Sequence, residues 1–105
     1  MGRLLLAALA GASLVLSAAA GAAGDAAAGK TKSVVCAACH GPDGNSTNPL
    51  WPNLAGQHAA YMVKQLKAFK SGERKDPVMS PMAAPLSDQD MENLAAYFSS
   101  QKLKQ

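Results

Sequence analysis

Apolar residues in the second half of the chain recur at helical intervals. One set comprises Ala59, Val63, Leu66 and Phe69. This spacing of three and four residues places their side chains on one face of an amphipathic helix. Ser71-Gly72 follows directly and is typical of a helix end. The pattern therefore predicts a helix from about residue 59 to residue 71.

A second apolar stripe lies near the end of the chain. Its members are Met91, Leu94, Ala95 and Phe98. The preceding residues 87–90, Ser-Asp-Gln-Asp, resemble a capping box, which marks the start of a helix. Lys102 and Lys104 favour the negative end of that helix.

The remaining segments predict one more helix and two irregular regions. Residues 25–38 are rich in Ala and begin with Asp25, which predicts a helix. Residues 41–52 are dense in turn formers and are predicted to form a loop. Three prolines in residues 76–85 exclude a continuous helix there and predict an extended, stiff segment. With almost no alternating strand pattern, we expect a small all-α domain of three to four helices.

The amino terminus has the three parts of a secretory signal peptide. Arg3 is followed by an uncharged, mostly apolar run over residues 4–16 and then by small residues. The run of 13 residues is shorter than the ~20 that a membrane-spanning helix needs, so stable membrane insertion is not expected. We expect cleavage after Ala22 and export of a domain comprising residues 23–105.

Composition suggests that this domain needs a bound group. Residues 23–105 contain only 19 large apolar side chains, few for a self-sufficient core. Their formal charge of +2 is too weak to indicate nucleic-acid binding. The length leaves no room for a second domain.

The two cysteines indicate what that group is. They lie in Cys36-Ala-Ala-Cys39-His40, the pattern of c-type haem attachment. Thiols three positions apart on a helix can each add to a vinyl group of one porphyrin, and His40 can ligate its iron. The alternative interpretations of the two cysteines are a thioredoxin-like pair, a zinc site and a plain disulfide. The first needs a strand before the helix, the second needs more ligands, and the third leaves His40 unexplained.

The second axial ligand of the iron is not decided by spacing. The candidates are His58, Met62, Met79, Met82 and Met91. His58 is expected to be an exposed polar residue, and Met62 and Met91 fall within the apolar stripes as core residues. Met79 and Met82 both lie in the proline-rich segment, and composition does not choose between them.

Four segments together resemble the class I cytochromes c, in particular the cytochrome c4 and cytochrome c-553 group. They are Cys36–Asn45, Pro52–Gln57, Tyr61–Gly72 and Leu86–Phe98. The resemblance implies a class I cytochrome c fold around one covalently bound haem c, with thioether bonds to Cys36 and Cys39. It also implies a single-haem protein, although cytochrome c4 itself carries two haem domains.

The resemblance assigns further roles. It implies His40 and Met79 as axial ligands, with Met82 packed nearby. The carbonyl of Pro52 is expected to accept the Nδ1 hydrogen of His40. Gly29 and Tyr97 match the place where the first and last helices cross in such proteins.

The expected function is electron transfer by a soluble periplasmic protein that is not an enzyme. Its iron would cycle between Fe(III) and Fe(II), carrying electrons between respiratory complexes such as a quinol-oxidising complex and a terminal oxidase. Basic residues that could steer an acidic partner, or simply form a solvated face, are Lys64, Lys67, Lys70, Arg74 and Lys75. The alternatives are a haem-based ligand sensor and a redox subunit of a periplasmic enzyme. A monomer is expected.

Overall fold

The structure, a computed structural model, describes residues 24–104 and, before them, residues 2, 4, 5, 7, 10 and 11. Most of the expected signal peptide therefore lies outside the described residues. Within residues 24–104 five helices follow one another: α1 Ala26–Lys32, α2 Val34–His40, α3 Ala59–Ser71, α4 Met79–Ala83 and α5 Asp88–Ser99. The described part of the chain contains no strand, in agreement with the expected all-α class. Within it, no helix has the length and apolar character required to cross a membrane.

The predicted helix of residues 25–38 is two helices in the structure. Asp25 caps α1 by accepting hydrogen bonds from the N–H groups of Ala27 and Ala28. The break occurs at Ser33, whose hydroxyl donates to the carbonyl of Lys30 at 2.7 Å. This hydroxyl competes with the backbone for a carbonyl that would otherwise serve the next turn. Helix α2 then continues to His40, two residues beyond the predicted end.

The two amphipathic helices are confirmed. Helix α3 ends at Gly72, which adopts a left-handed conformation with φ +82°. Helix α5 begins with the predicted capping box between Ser87 and Asp90. Its apolar stripe is fully buried. Helix α5 is central to the fold because it packs against α1 on one side and α3 on the other.

Gly29 permits the close crossing of α1 and α5. A Cβ atom at this position would lie 1.9 Å from the carbonyl oxygen of Asn93 and 2.9 Å from Cβ of Tyr97. Only a residue without a side chain fits at such a distance. The crossing expected from the resemblance is therefore present.

The prediction of an extended segment around Met79 is wrong. Residues Met79–Ala83 form one helical turn, α4, although Pro81 is its third residue. Proline is tolerated there because the first N–H groups of a helix have no partner within it. The prolines limit the length of this helix without preventing it.

Candidate haem site

A largely apolar cavity of about 740 Å³ lies between α2, α3, the residues around α4, and α5. Its size falls within the range of about 300–1,000 Å³ usual for cofactor pockets. The apolar side chains around it include Leu50, Trp51, Leu54, Met62, Leu66, Phe69, Leu94 and Phe98. The apolar faces of α3 and α5 therefore serve both the core and this cavity.

The side chains of Cys36, Cys39 and His40 all line the cavity. Cys36 and Cys39 lie three positions apart on α2, and residues at this spacing share one helix face. Both thiols are free. Burial raises the pKa of Cys36, which keeps this thiol protonated. Two thiols on one face of a helix can reach neighbouring positions of a single planar group.

His40 is buried and its ring is held in one orientation. Its Nδ1 atom lies 2.8 Å from the carbonyl oxygen of Pro52. A carbonyl oxygen can only accept a hydrogen bond, so Nδ1 carries the hydrogen and donates it. The other nitrogen, Nε2, keeps its lone pair and is the atom that can bind a metal ion.

The carbonyl of Pro52 is itself held by the loop between α2 and α3, residues 41–57, here called the histidine loop. The N–H groups of Leu54 and Ala55 donate to the carbonyl of Gly44, at 2.7 and 3.1 Å. The N–H of Ser46 donates to Oδ1 of Asn53 at 2.7 Å. These bonds fold the two halves of the loop together. The sequence pattern does not single out Gly44 or Asn53 as site residues, although both lie in the segments that carry the resemblance.

The histidine loop is also tied to the far end of the chain. The Tyr97 hydroxyl donates to the carbonyl of Pro42 at 2.6 Å, and the Gly56 N–H donates to the carbonyl of Phe98 at 3.0 Å. The Asn45 side chain donates to the Lys102 carbonyl and accepts from the Lys104 N–H, at 3.0 and 2.8 Å.

Lys104 has a different role from the expected one at the end of α5. Its ammonium lies 2.9 Å from a carboxylate oxygen of Asp43 in the histidine loop. The hydrogen bond from Lys104, together with one from the Asn45 backbone, lowers the pKa of Asp43 to about 2. The ion pair therefore fastens the end of the chain to the histidine loop.

The candidates for the second axial ligand of the iron differ in their burial and in whether they border the cavity. Met79 and Met82 both line the cavity; Met79 is half-buried against the core, whereas Met82 is 38% exposed. Met62 is buried in the core and also borders the cavity. Met91 is fully buried elsewhere, and His58 is an exposed residue at the start of α3. The expectations for His58, Met62 and Met91 are confirmed.

Two of the five basic residues that could steer a partner or form a solvated face have contacts within the protein. The Lys70 ammonium donates to the carbonyl of Leu86. The Arg74 guanidinium lies 4.5 Å above the centre of the Phe69 ring and donates to the Gln65 side chain. Lys64, Lys67 and Lys75 are exposed.

The donor set fits a covalently attached haem. Two free thiols, an imidazole with Nε2 available and three methionine thioethers border one apolar cavity. Thiols form the thioether bonds of haem c, and imidazole and thioether are established ligands of haem iron. Residues 24–104 contain no group of three or more His, Cys, Asp or Glu side chains suited to a bare metal ion. A zinc site in this region is therefore not supported.

Comparison with known proteins agrees with this chemistry. The cytochrome c family profile matches residues 22–102. The chain is 54% identical over 82 residues to cytochrome c4 of Pseudomonas aeruginosa, covering 78% of the chain and 41% of that protein. It is 51% identical over 83 residues to cytochrome c-554(548) of Halomonas halodenitrificans, covering 76% of the chain and 100% of that protein.

A solved structure extends the likeness to the fold. The crystal structure of reduced recombinant cytochrome c4 from Pseudomonas stutzeri matches with a TM-score of 0.74 at 53% identity, over 78% of the chain and 48% of that protein. The chain thus spans less than half the length of these cytochromes c4 but the whole length of cytochrome c-554(548).

Proposed function

The chain belongs to the cytochrome c family, as a class I c-type cytochrome of the c4 group with covalently bound haem c, and from this premise we propose an exported single-haem electron carrier. In this proposal residues 1–22 are a signal peptide, and the domain of residues 23–105 works in the periplasm. It carries electrons between respiratory complexes, such as a quinol-oxidising complex and a terminal oxidase, and catalyses no reaction of its own.

The observation that carries this proposal is the convergence of the donors on one apolar cavity. Cys36, Cys39, His40 and Met79 all border the cavity of about 740 Å³. We assign Cys36 and Cys39 to the thioether bonds, and His40 and Met79 to the two axial positions of the iron. The haem, when bound, supplies an iron centre that accepts and returns one electron.

The protein contributes orientation and electronic tuning. Pro52 accepts the Nδ1 hydrogen of His40, which fixes the imidazole plane and strengthens Nε2 as a donor. The Met79 thioether is a soft, neutral ligand that favours Fe(II) and so raises the reduction potential relative to a second histidine. With His40 and Met79 both holding the iron, a bound haem would offer a substrate no open coordination position.

Partner recognition is proposed to involve the surface next to the cysteine motif. Val35 borders the cavity and is 55% exposed, so this part of α2 is accessible to another protein. Among the basic residues suggested for steering, Lys64, Lys67 and Lys75 are exposed. They are available to attract an acidic redox partner over a distance.

The first test is mass spectrometry of the full-length gene product purified from the periplasm. We expect one haem per chain and an amino terminus at Ala23. The added mass of the haem should remain on the polypeptide after denaturation. The Cys36→Ser, Cys39→Ser double variant should lack the covalent haem. Recovery of a haem-free chain, or of haem that dissociates on denaturation, contradicts the proposal.

The second test is optical spectroscopy of the purified protein. The oxidised form should show the charge-transfer band of a methionine bound to Fe(III), and the reduced form should bind carbon monoxide slowly. A protein without this band that binds carbon monoxide readily is a ligand sensor. Reduced-minus-oxidised spectra of cells lacking the protein then identify the electron path that stalls.

A further inference from the structure

The segment between α3 and α5, residues 73–86, is here called the methionine segment, and its central helix needs support from outside its own turn. Helix α4 has five residues, far below the length at which an isolated helix is stable. Ala83, the last residue of this helix, is buried, and so is Leu86 beyond it. Met79 lies at the opposite end and is only half-buried.

The carboxylate of Asp76 supplies this support. Its Oδ1 atom accepts hydrogen bonds from the N–H groups of both Val78 and Met79, each at 2.8 Å. Val78, the residue directly before the helix, makes no capping hydrogen bond with its side chain. Asp76 therefore caps α4 from two positions before Val78, and one of its two bonds is to Met79 itself.

The backbone of Asp76 is closed onto the same turn. The Asp76 N–H donates to the hydroxyl of Ser80 at 3.1 Å, and the Ser80 N–H donates to the carbonyl of Asp76 at 3.0 Å. Pro77 stands between Asp76 and the two N–H groups that donate to its carboxylate, and it fixes one backbone angle of the turn. The result is a compact unit of five residues in which the Met79 backbone has little freedom.

We propose that Asp76 is a positioning residue that holds Met79 in place for its bond to the haem iron. This inference rests on the proposed assignment of Met79 as an axial ligand. Loss of the carboxylate would release the Val78 and Met79 N–H groups together, and the first turn of α4 would fray. The conformational entropy lost on ordering Met79 would then oppose formation of the iron–sulfur bond. A larger fraction of molecules would therefore have the methionine detached from the iron.

Asp25 offers a matched control. Its Oδ1 atom likewise accepts from two consecutive backbone N–H groups, those of Ala27 and Ala28, at 2.9 and 3.3 Å. It caps α1, and no residue of α1 lines the cavity. Replacing Asp25 therefore removes the same kind of cap and lowers stability without touching the methionine segment.

The experiment uses the full chain with haem attached and the variants Asp76→Ala, Asp76→Asn, Asp25→Ala and Asp25→Asn. We expect Asp76→Ala to accelerate carbon monoxide binding to the reduced protein about tenfold, the scale of a lost charge-assisted hydrogen bond. Its methionine–Fe(III) band should also disappear at lower denaturant concentration than the global unfolding transition. Asp76→Asn keeps an amide oxygen as an uncharged, weaker acceptor and should recover both properties only in part.

The Asp25 variants should unfold at lower denaturant concentration than the unsubstituted protein. Their rates of carbon monoxide binding should stay within about twofold of the rate of the unsubstituted protein. Equal carbon monoxide rates for Asp76→Ala and Asp25→Ala would overturn the positioning role and leave Asp76 as an ordinary cap. If Asp76→Ala does not accumulate, Asp76→Asn should still bind carbon monoxide faster than Asp25→Asn, and equal rates overturn the inference. Absence of the methionine band in the unsubstituted protein instead refutes the proposed ligand itself.

Discussion

The histidine loop and the methionine segment border the same cavity but are anchored by contacts of different range. The histidine loop is bonded to residues far along the chain, since Pro42 meets Tyr97 and Asn45 meets Lys102 and Lys104. The anchors of Met79 lie within its own segment, at Asp76 and Ser80.

This difference has a consequence for stability. Contacts to α5 are lost only when the loop separates from that helix, whereas bonds between near neighbours can open alone. We therefore expect the methionine side of the haem to open at lower free energy than the histidine side. The following predictions test this contrast, from the largest expected effect to the smallest.

The largest effect is expected at the methionine segment. Met79→Ala should abolish the methionine–Fe(III) band, because the proposed thioether ligand is removed outright. Met82→Ala is the control and should leave the band in place, since this side chain also borders the cavity but is more exposed. Absorption spectra of the two oxidised proteins measure the difference. The opposite outcome assigns Met82 as the ligand.

The next effect is expected at Gly44 in the histidine loop. Gly44 has φ +81°, and a Cβ atom there would lie 2.6 Å from the Ala55 nitrogen and 2.9 Å from a Phe98 ring carbon. Gly44→Ala should therefore lower the free energy of unfolding by about 3 kcal/mol or more, measured by denaturant titration.

Gly72 provides the control for Gly44 at the start of the methionine side. It has φ +82°, yet nothing lies within 4 Å of its virtual Cβ atom. Gly72→Ala should cost only about 1–2 kcal/mol, from the left-handed conformation alone. Equal losses for the two variants would show that close packing of the histidine loop against α5 contributes nothing.

A smaller effect is expected from the long-range bond between Tyr97 and Pro42. Tyr97→Phe removes the hydroxyl that donates to the Pro42 carbonyl and should lower the free energy of unfolding by about 1 kcal/mol. Amide hydrogen exchange in the histidine loop should accelerate as well. The exposed Tyr61 on α3 is the control, and Tyr61→Phe should change stability by less than about 0.5 kcal/mol. Unchanged exchange in Tyr97→Phe would show that the loop is held without this bond.

The smallest effect is expected in the loss of stability at acidic pH. The Lys104 hydrogen bond lowers the pKa of Asp43 from 3.8 to about 2, so folding favours the charged carboxylate. The stabilisation is present above pH 3.8 and is lost as the pH falls towards 2. Asp43→Asn should flatten the fall in stability over this pH interval, measured by denaturant titration of the haem-loaded protein. Lys104→Gln should have a similar effect, and the double variant should add little to either. An unchanged acid slope in Asp43→Asn would refute the ion pair.

The sequence predicted the elements whose causes are local. The stripe from Ala59 to Phe69 places apolar side chains by helical period alone, and the capping box at Ser87 needs only its own four residues. The prediction was wrong where two local effects competed. Ser33 breaks a helix that its neighbours favour, and Pro81 fits into a short helical turn within a segment that was predicted to be extended.

By itself the sequence determined the spacing on which the proposed haem attachment depends, because Cys36, Cys39 and His40 lie within a single helix and need no distant residue to be aligned. The tertiary structure decided the setting of these groups. The orientation of His40 depends on a carbonyl twelve residues away, and the histidine loop that presents this carbonyl is held by residues of α5 and beyond. Such contacts form only when separate elements pack together, and periodicity along the chain does not report which of them meet.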